Sequence, residues 1–331
     1  MKPLFRNSVW IMGLCSVLMI FWAGCYINID SEGCRTHFAF GGCSNWVRQE
    51  RQVTLSELME PGMKIDARTI NGSITLKGQE SHECTVHATI VGRASTAQKA
   101  QEVAETTEVL LERQADCIKV IVHRPRTLRN RSVGVNLDIF VPRSTMAVLQ
   151  SSDGRIDVEV LDGQLDAKTS DGNIGARQIT GSVTLQTSDG SIKCQGIQGS
   201  KIISKTSDGN IRLDDCHTDK LMARTSDGSI YLEQIRAESV LARTSDGGIV
   251  LRFKQDNPEV VDVELQTSDG SIDLVTPPSV SARIEARTSD GSIHSEIMFK
   301  GSMNRTKMKG VTGAGQGNIY LKTSDGSIHI K

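Results

Sequence analysis

The segment Ser-Asp-Gly recurs nine times in this chain of 331 residues, and the spacing of its copies constrains the fold more than any other feature. The intervals between successive copies are 18, 18, 19, 19, 19, 23, 21 and 35 residues. The aspartates are Asp153, Asp171, Asp189, Asp208, Asp227, Asp246, Asp269, Asp290 and Asp325. A period of this size is typical of a solenoid or an array, in which each repeat is one unit that stacks on the next.

Hydrophobic residues alternate with period two on both sides of every Asp-Gly pair. Isoleucine stands three residues after each aspartate, and an aliphatic residue stands six residues before it. This pattern is typical of β-strands with one buried face. Two architectures fit it: an antiparallel meander in which Asp-Gly closes hairpins, and a parallel solenoid in which identical residues stack on themselves. We expect the solenoid, because identical residues at identical phase form rows only when successive repeats run parallel.

An earlier copy of the repeat carries Asn71 where the later copies carry aspartate. Its inward positions are Ile65, Ala67, Thr69, Ile74 and Leu76. Asn and Asp both bond nearby backbone amides, so the position selects for turn chemistry. We therefore interpret Asn71 and the nine aspartates as structural turn residues that accept backbone N–H bonds. Six of the nine residues that stand three positions before the aspartates are basic, and we expect this row to offset the repulsion between the carboxylates.

Glycines near the midpoint of several repeats predict a second corner, which would give a flattened, two-sided coil. These glycines are Gly163, Gly181 and Gly199. Between Asn71 and the array, Ser95–Gln98 resembles a capping box and predicts a helix that extends to about Gln114. Alternating strands surround it. The predicted fold class is therefore all-β: a parallel β-solenoid of roughly 19-residue coils with an N-terminal α+β capping region.

The N-terminus is typical of an export signal. Lys2 and Arg6 precede fifteen uncharged residues, Val9 to Ala23, which is shorter than the roughly 20 residues of a membrane span. Small residues then precede Cys25, as in the lipobox of bacterial lipoproteins. We predict that Cys25 is acylated and anchors the protein in the envelope; cleavage without lipidation is the alternative.

These features divide the chain into four parts. Residues 1–24 are the predicted signal peptide, 25–50 a tether, 51–145 the first coil with its capping region, and 146–331 the solenoid repeats.

In an exported chain, a disulfide between Cys34 and Cys43 is the expected pairing, because only a short loop separates them. The remaining cysteines of the mature chain are expected to be buried thiols, because Cys194 and Cys216 stand where neighbouring repeats carry Leu or Ile. Neither the spacing of the cysteines nor nearby histidines resemble a zinc module.

Copies of Thr-Ser-Asp-Gly-Ser-Ile follow the segment Ile139–Pro142, and the final copy follows the glycine-rich residues 310–317. This arrangement resembles the bacterial putative-adhesin family of unknown function, from about residue 50 to the end. The resemblance implies an exported β-solenoid with a role in the cell envelope. It implies no catalytic residue that could be transferred to this chain.

One cluster could carry chemistry. Asp273, His294 and His329 stand four residues after their aspartates and share an outward row, so they could bind a transition metal or act as acid and base. A solvated face is the simpler interpretation, because metal sites usually need a further protein ligand. No nucleophile, zinc-protease or phosphate-loop motif occurs, and we expect no cofactor.

The leading functional hypothesis is a non-catalytic, lipid-anchored protein of the bacterial cell envelope, in the outer membrane and facing periplasm or surface. Its expected partners are the membrane, through the lipid anchor, and an envelope protein or polysaccharide. Nucleic acid is excluded as a partner, because 38 Lys and Arg against 39 Asp and Glu leave a net charge of -1. The alternatives are a polymerising or docking structural module and, third, a carbohydrate-active enzyme on a β-helix.

The end of the chain bears on the polymerising alternative. Only six residues follow Asp325, so the last coil is expected to leave an open strand edge. Residues 300–317 contain four basic residues and no acid, and we expect them to fold across that end as a cover.

Overall fold

Strands before and after each Asp-Gly corner form two ladders that run through the whole array. The computed structural model describes residues 46–125 and 129–331, with Val47–Lys331 as one unit. The helix α1 spans Ala97–Glu105. The strands of the described residues are β1 (Val47–Leu58), β2 (Lys64–Arg68), β3 (Ile74–Gln79), β4 (Glu83–Ala94), β5 (Glu108–Gln114), β6 (Cys117–His123), β7 (Arg131–Pro142), β8 (Met146–Gln150), β9 (Ile156–Leu161), β10 (Leu165–Lys168), β11 (Ile174–Thr180), β12 (Val183–Gln186), β13 (Ile192–Lys205), β14 (Ile211–Arg224), β15 (Ile230–Arg243), β16 (Ile249–Phe253), β17 (Asp262–Gln266), β18 (Ile272–Val275), β19 (Ala282–Arg287), β20 (Ile293–Ser295), β21 (Lys300–Met303), β22 (Lys307–Thr312), β23 (Gly317–Lys322) and β24 (Ile328–Ile330).

The strands that precede the corners form ladder A, in the order β6, β2, β8, β10, β12, β13, β14, β15, β17, β23, β19. The strands that follow the corners form ladder B, in the order β7, β3, β9, β11, β13, β14, β15, β16, β18, β24, β20. All of these pairings are parallel, and β13, β14 and β15 are long enough to belong to both ladders. The parallel solenoid is confirmed, and the antiparallel meander is not observed among the repeats.

The core lies between the ladders. The isoleucine after each corner is buried in every coil, as are its apolar neighbours two residues further on in most coils. The early copy also belongs to the stack, because β2 and β3 pair with β8 and β9 of the coil of Asp153. A fully buried isoleucine contributes about 1.5 to 3 kcal/mol, so the columns supply a large part of the stability.

Each central coil has one bend more than the two-sided coil predicted from the sequence. The predicted glycines do stack at a bend: a Cβ on Gly199 would lie 2.1 Å from the carbonyl oxygen of Gly181. A further bend follows ladder B, where one residue per coil adopts a left-handed conformation. These residues are Val160, Gln178, Gly196, Asp215 and Gln234, with φ between 52° and 66°. Their side chains share no chemistry, which is why the sequence pattern does not reveal them.

The capping region differs from its prediction in one element. Thr96 caps helix α1 by accepting the N–H of Lys99 at 3.3 Å, but the helix ends at Glu105 instead of Gln114. Thr107 donates its hydroxyl to the Val103 carbonyl, and the alternating residues that follow form β5, which pairs antiparallel with β6. β4 joins β1 and β7 in an antiparallel sheet that extends ladder B, and α1 packs on this sheet.

The order of the last three coils in space differs from their order in sequence. Strands β23 and β24, from the final copy, lie between the coil of Asp269 and the coil of Asp290. The prediction of an open final coil was wrong, because β24 has a partner on each side. The expected cover is present in part: β22 pairs antiparallel with β19, and β21 pairs with β22.

Several predictions lie outside the described residues: the signal peptide, Cys25, most of the tether, and Cys34 with Cys43. Strand β1 begins at Val47, before the predicted end of the tether. Within residues 46–125 and 129–331, no helix combines the length and the apolar character needed to cross a bilayer.

Candidate functional site

A buried threonine holds the corner of each coil from Asp171 to Asp325, and Ser151 takes its place in the coil of Asp153. The Thr225 hydroxyl lies 2.9 Å from the carbonyl oxygen of Ser207 and 3.0 Å from that of Gly209 in the preceding coil, and it accepts the N–H of Gly228 at 3.3 Å. The two bonds to carbonyls of the adjacent coil recur at every corner threonine from Thr169 to Thr323. The backbone N–H groups of Ser152 and Asp153 donate to the carbonyl of Ile70, and those of every later Ser-Asp pair donate to the carbonyl of the equivalent serine in the adjacent coil. The corner therefore satisfies its backbone without the aspartate side chain.

All ten predicted turn residues lie at corners, and the nine aspartates are exposed. Their expected hydrogen-bonding role was wrong: within the described part of the chain, none of the nine carboxylates makes a hydrogen bond or an ion pair. The threonine hydroxyl accepts the glycine N–H that the carboxylate was expected to accept. The basic row does form in register, as at Arg224 opposite Arg243, but Arg243 contacts Glu264 and not a corner aspartate.

The candidate metal residues are neighbours in ladder B, in the order Asp273, His329, His294. His329 Nδ1 lies 2.7 Å from Asp273 Oδ1, whereas His294 Nε2 lies 3.1 Å from Ser292 Oγ. The two rings are 5.5 Å apart. Because His294 bonds to Ser292, the three donors do not converge on one point, and no group of three metal-ligating side chains occurs among the residues described.

A groove of about 520 Å³ lies on the outer face of the sheet formed by β1, β4, β7, β3 and β9. Its central row is Thr54, His87, Asp138 and Thr75, which face one another across successive strands. Phe140 and Lys77 form the neighbouring row. The volume is within the range of ligand-binding clefts.

Hydrogen bonds and packing hold the groove side chains in place. Thr54 Oγ1 lies 3.0 Å from His87 Nδ1, and the His87 ring meets the edge of Phe140 at 5.7 Å between centroids. Glu159, at the far side, is 3.2 Å from Arg177 of the next coil. Asp138 takes part in no ion pair with any residue that the structure describes. The groove thus presents hydroxyls, one unpaired carboxylate, an ammonium group and an aromatic ring to solvent.

The repeat pattern of the sequence does not reveal this groove. Its residues come from three strands of the cap and two coils of the array, and they come together only through antiparallel pairing that the repeat does not encode. One signal was available: the strand over Cys84 to Val91 alternates, and its outward residues Thr85, His87 and Thr89 are all polar.

Three cysteines are buried within the unit, and Cys117 is half-buried. Burial raises the pKa of the Cys216 thiol and of the Cys84 thiol to about 12. Burial also raises the pKa of Cys194, which lies in a column between Ala176 and Leu213. These thiols stay protonated and act as small apolar core residues, as the sequence predicts.

Comparison with solved structures finds similarity to several bacterial proteins. A putative adhesin from Parabacteroides merdae has a TM-score of 0.50 at 9% identity, covering 85% of this chain and 96% of its own. A putative adhesin from Parabacteroides distasonis has a TM-score of 0.46 at 9% identity, with 85% and 97% covered. A putative lipid binding protein from the same species has a TM-score of 0.45 at 10% identity, with 86% and 96% covered. No curated protein matches the chain.

A family model adds a match over the solenoid and most of its cap. The model is that of Toastrack DUF4097, and it matches residues 63–331, which include every corner from Asn71 to Asp325. The chain belongs to the Toastrack DUF4097 family.

Proposed function

We propose that this protein is an exported, lipid-anchored protein of the bacterial envelope that binds a saccharide chain in the groove around His87 and Phe140. Binding is its role, and it catalyses no reaction. The observation that carries the proposal is the combination of a row of hydrogen-bonding side chains with a half-buried aromatic ring in one groove.

The chemistry of the groove suits a sugar. Each sugar hydroxyl both donates and accepts, and the groove offers groups of both kinds: the Thr54 and Thr75 hydroxyls, the Asp138 carboxylate and the Lys77 ammonium. The apolar C–H face of a sugar ring can pack on an aromatic ring such as that of Phe140. An extended groove across five strands also matches a polymer better than a small, enclosed ligand.

The charges in the groove favour binding over hydrolysis. Glycoside hydrolysis needs two carboxyl groups on opposite sides of the scissile bond. In this groove Glu159 contacts Arg177, which leaves Asp138 as the carboxylate available to a ligand. The pairing of Glu159 thus supports a non-catalytic role.

An array of oligosaccharides from bacterial envelopes tests the groove. The parent should bind a subset of the array, and His87→Ala and Phe140→Ala should each reduce that binding by about tenfold or more, since one hydrogen bond or one ring contact contributes about 1.5 kcal/mol. Tyr231→Ala is the matched control, because Tyr231 lies on the outer face of ladder B and stacks with Arg212, away from the groove. Equal loss in the control would reject the groove, and release of shorter sugars by the parent would reject the non-catalytic role.

The anchor is tested separately. Metabolic labelling with a clickable fatty acid should mark the parent, and Cys25→Ser should abolish the mark. Equal labelling of both chains would reject acylation at Cys25 and leave the groove proposal untouched.

A further inference from the structure

The last strand pair of the solenoid forms a hairpin with an unusual surface. Residues 300–312, here called the end hairpin, comprise β21, a turn and β22, and β22 closes ladder A by pairing with β19. No other strand of the described residues pairs with the outer edge of β21. The end hairpin and the residues just before it are therefore a terminal surface of the molecule.

Positive charge accumulates on this surface without compensation. Lys300, Arg305, Lys307 and Lys309 are all exposed, and residues 300–317 contain no acid. None of the four takes part in an ion pair within the described chain. Of the acids near this surface, Glu285 contacts Arg287 and Glu296 lies 3.5 Å from Lys331. Asp290 is the third: its backbone carbonyl accepts a hydrogen bond from Arg305 at 3.4 Å, and its carboxylate makes no ion pair with the described residues, so four cations face one available carboxylate.

Large apolar side chains stand beside these cations. Met298 is 92% exposed and Val311 is 36% exposed, and Val311 lies opposite Lys300 in the hairpin. The residues on either side of Met298 are anchored, since Ile297 and Phe299 pack against the core. The exposure of Met298 thus follows from the alternation of an ordered segment, which directs its side chain away from the core.

We propose that the end hairpin docks on the surface of an anionic lipid bilayer. Lysine and arginine near such a surface each contribute about 1 kcal/mol of attraction, and methionine can insert between headgroups and acyl chains. A second copy of the chain is the alternative occupant, because β5, the edge strand at the opposite end of ladder A, carries the exposed acids Glu108 and Glu112. The 92% exposure of Met298 favours a bilayer, into which its side chain can insert. The docking proposal depends on neither the groove nor acylation of Cys25.

Vesicle binding tests the proposal on the full chain carrying Cys25→Ser, so that no acyl chain contributes. One set of vesicles is phosphatidylcholine alone, and the other is an equimolar mixture with phosphatidylglycerol. The parent should bind the anionic vesicles more tightly, with an affinity that falls as salt rises. The double variant Lys307→Gln/Lys309→Gln should lose about 30-fold, the equivalent of two cations. Met298→Ser should lose affinity for both kinds of vesicle.

The matched control is Lys201→Gln/Lys220→Gln, which removes two exposed lysines from ladder A far from Met298. It should bind anionic vesicles as the parent does. The proposal is overturned if the end-hairpin variant binds like the parent, or if the control loses as much. It is also overturned in favour of a second copy if light scattering shows a dimer that the same end-hairpin variant dissociates.

Discussion

The hydroxyl of the corner threonine makes three hydrogen bonds in a position closed to solvent, whereas the neighbouring aspartate carboxylate points into water. A buried polar group that loses its partner destabilises the fold by about 1 to 3 kcal/mol. An exposed carboxylate without partners contributes little. The recurring aspartate therefore marks the corner in the sequence, while the threonine two residues before it holds the coils together.

Two isosteric substitutions separate these roles. Thr225→Val should lower the free energy of unfolding by about 1 to 3 kcal/mol, because it leaves the Gly228 N–H without its acceptor and two carbonyls with one donor fewer. Asp227→Asn should change it by less than about 0.5 kcal/mol. Urea unfolding of both variants is the measurement. An equal or larger effect of Asp227→Asn would assign the corner to the aspartate.

Glycines serve different purposes at two points of the coil. Gly228 does not have a positive φ, contrary to the usual reason for Asp-Gly; instead, a Cβ there would lie 2.1 Å from the Gly209 carbonyl oxygen. Gly196 has φ +66°, but its nearest atom would be 3.8 Å from a Cβ. We expect Gly228→Ala to lower the free energy of unfolding by about 3 kcal/mol through overpacking. Gly196→Ala should lower it by about 1 kcal/mol through backbone strain. The reverse order in urea unfolding would contradict the stacking argument.

The buried thiols predict a loss of stability at alkaline pH. The folded pKa of Cys216 is raised from about 9 to about 12, so above pH 9 the unfolded chain releases a proton that the folded chain retains. Below pH 9 the thiol is protonated in both states and does not change the free energy of unfolding. Above pH 9 the free energy of unfolding falls by about 1.4 kcal/mol per pH unit until the folded pKa is reached. In Cys216→Ala, the free energy of unfolding should fall less steeply with alkaline pH than in the parent. Each protein is compared with its own free energy of unfolding at neutral pH. Parallel declines would show that Cys216 does not titrate in this way.

At the scale of elements, the inserted last coil is the feature that most changes the predicted fold. Asp273 and His329 are direct neighbours, while His329 separates Asp273 from His294. Neighbouring parallel strands are about 4.8 Å apart, which a disulfide can span, whereas two steps of about 10 Å exceed its reach. Oxidation should therefore join Asp273→Cys to His329→Cys and not to His294→Cys. Peptide mapping that finds the 273–294 link would restore the sequential order of the coils.

Strand positions were predictable from the sequence where the repeat governs them, and unpredictable where it does not. The alternation around Asn71 and Asp153 placed β2, β3, β8 and β9 correctly, because parallel stacking repeats the same buried face in every coil. The helix end at Glu105 was missed because Leu110 and Leu111 fit a helical stripe as well as a strand. The coil order was missed because all copies carry the same pattern, so their pairing preferences are equivalent.

At the scale of the whole molecule, the array separates two surfaces of different chemistry. The groove lies where the cap meets the first coils, and the end hairpin closes the opposite end of ladder A. The exposed aspartates form a third surface feature, a regular row along the corners. Their regular spacing made them the most prominent candidates for a functional site in the sequence. The proposed binding surface is the irregular groove, and the corners serve the structure.

Titration calorimetry with the best oligosaccharide from the array tests this assignment most directly. Three proteins are compared: the parent, Phe140→Ala, and a triple variant in which Asp208, Asp227 and Asp246 are all replaced by Asn. Phe140→Ala is expected to weaken binding by about tenfold or more, whereas the triple variant should bind like the parent, with both variants folded by circular dichroism. Loss of binding in the triple variant, with Phe140→Ala unaffected, would contradict this assignment and place recognition on the corners.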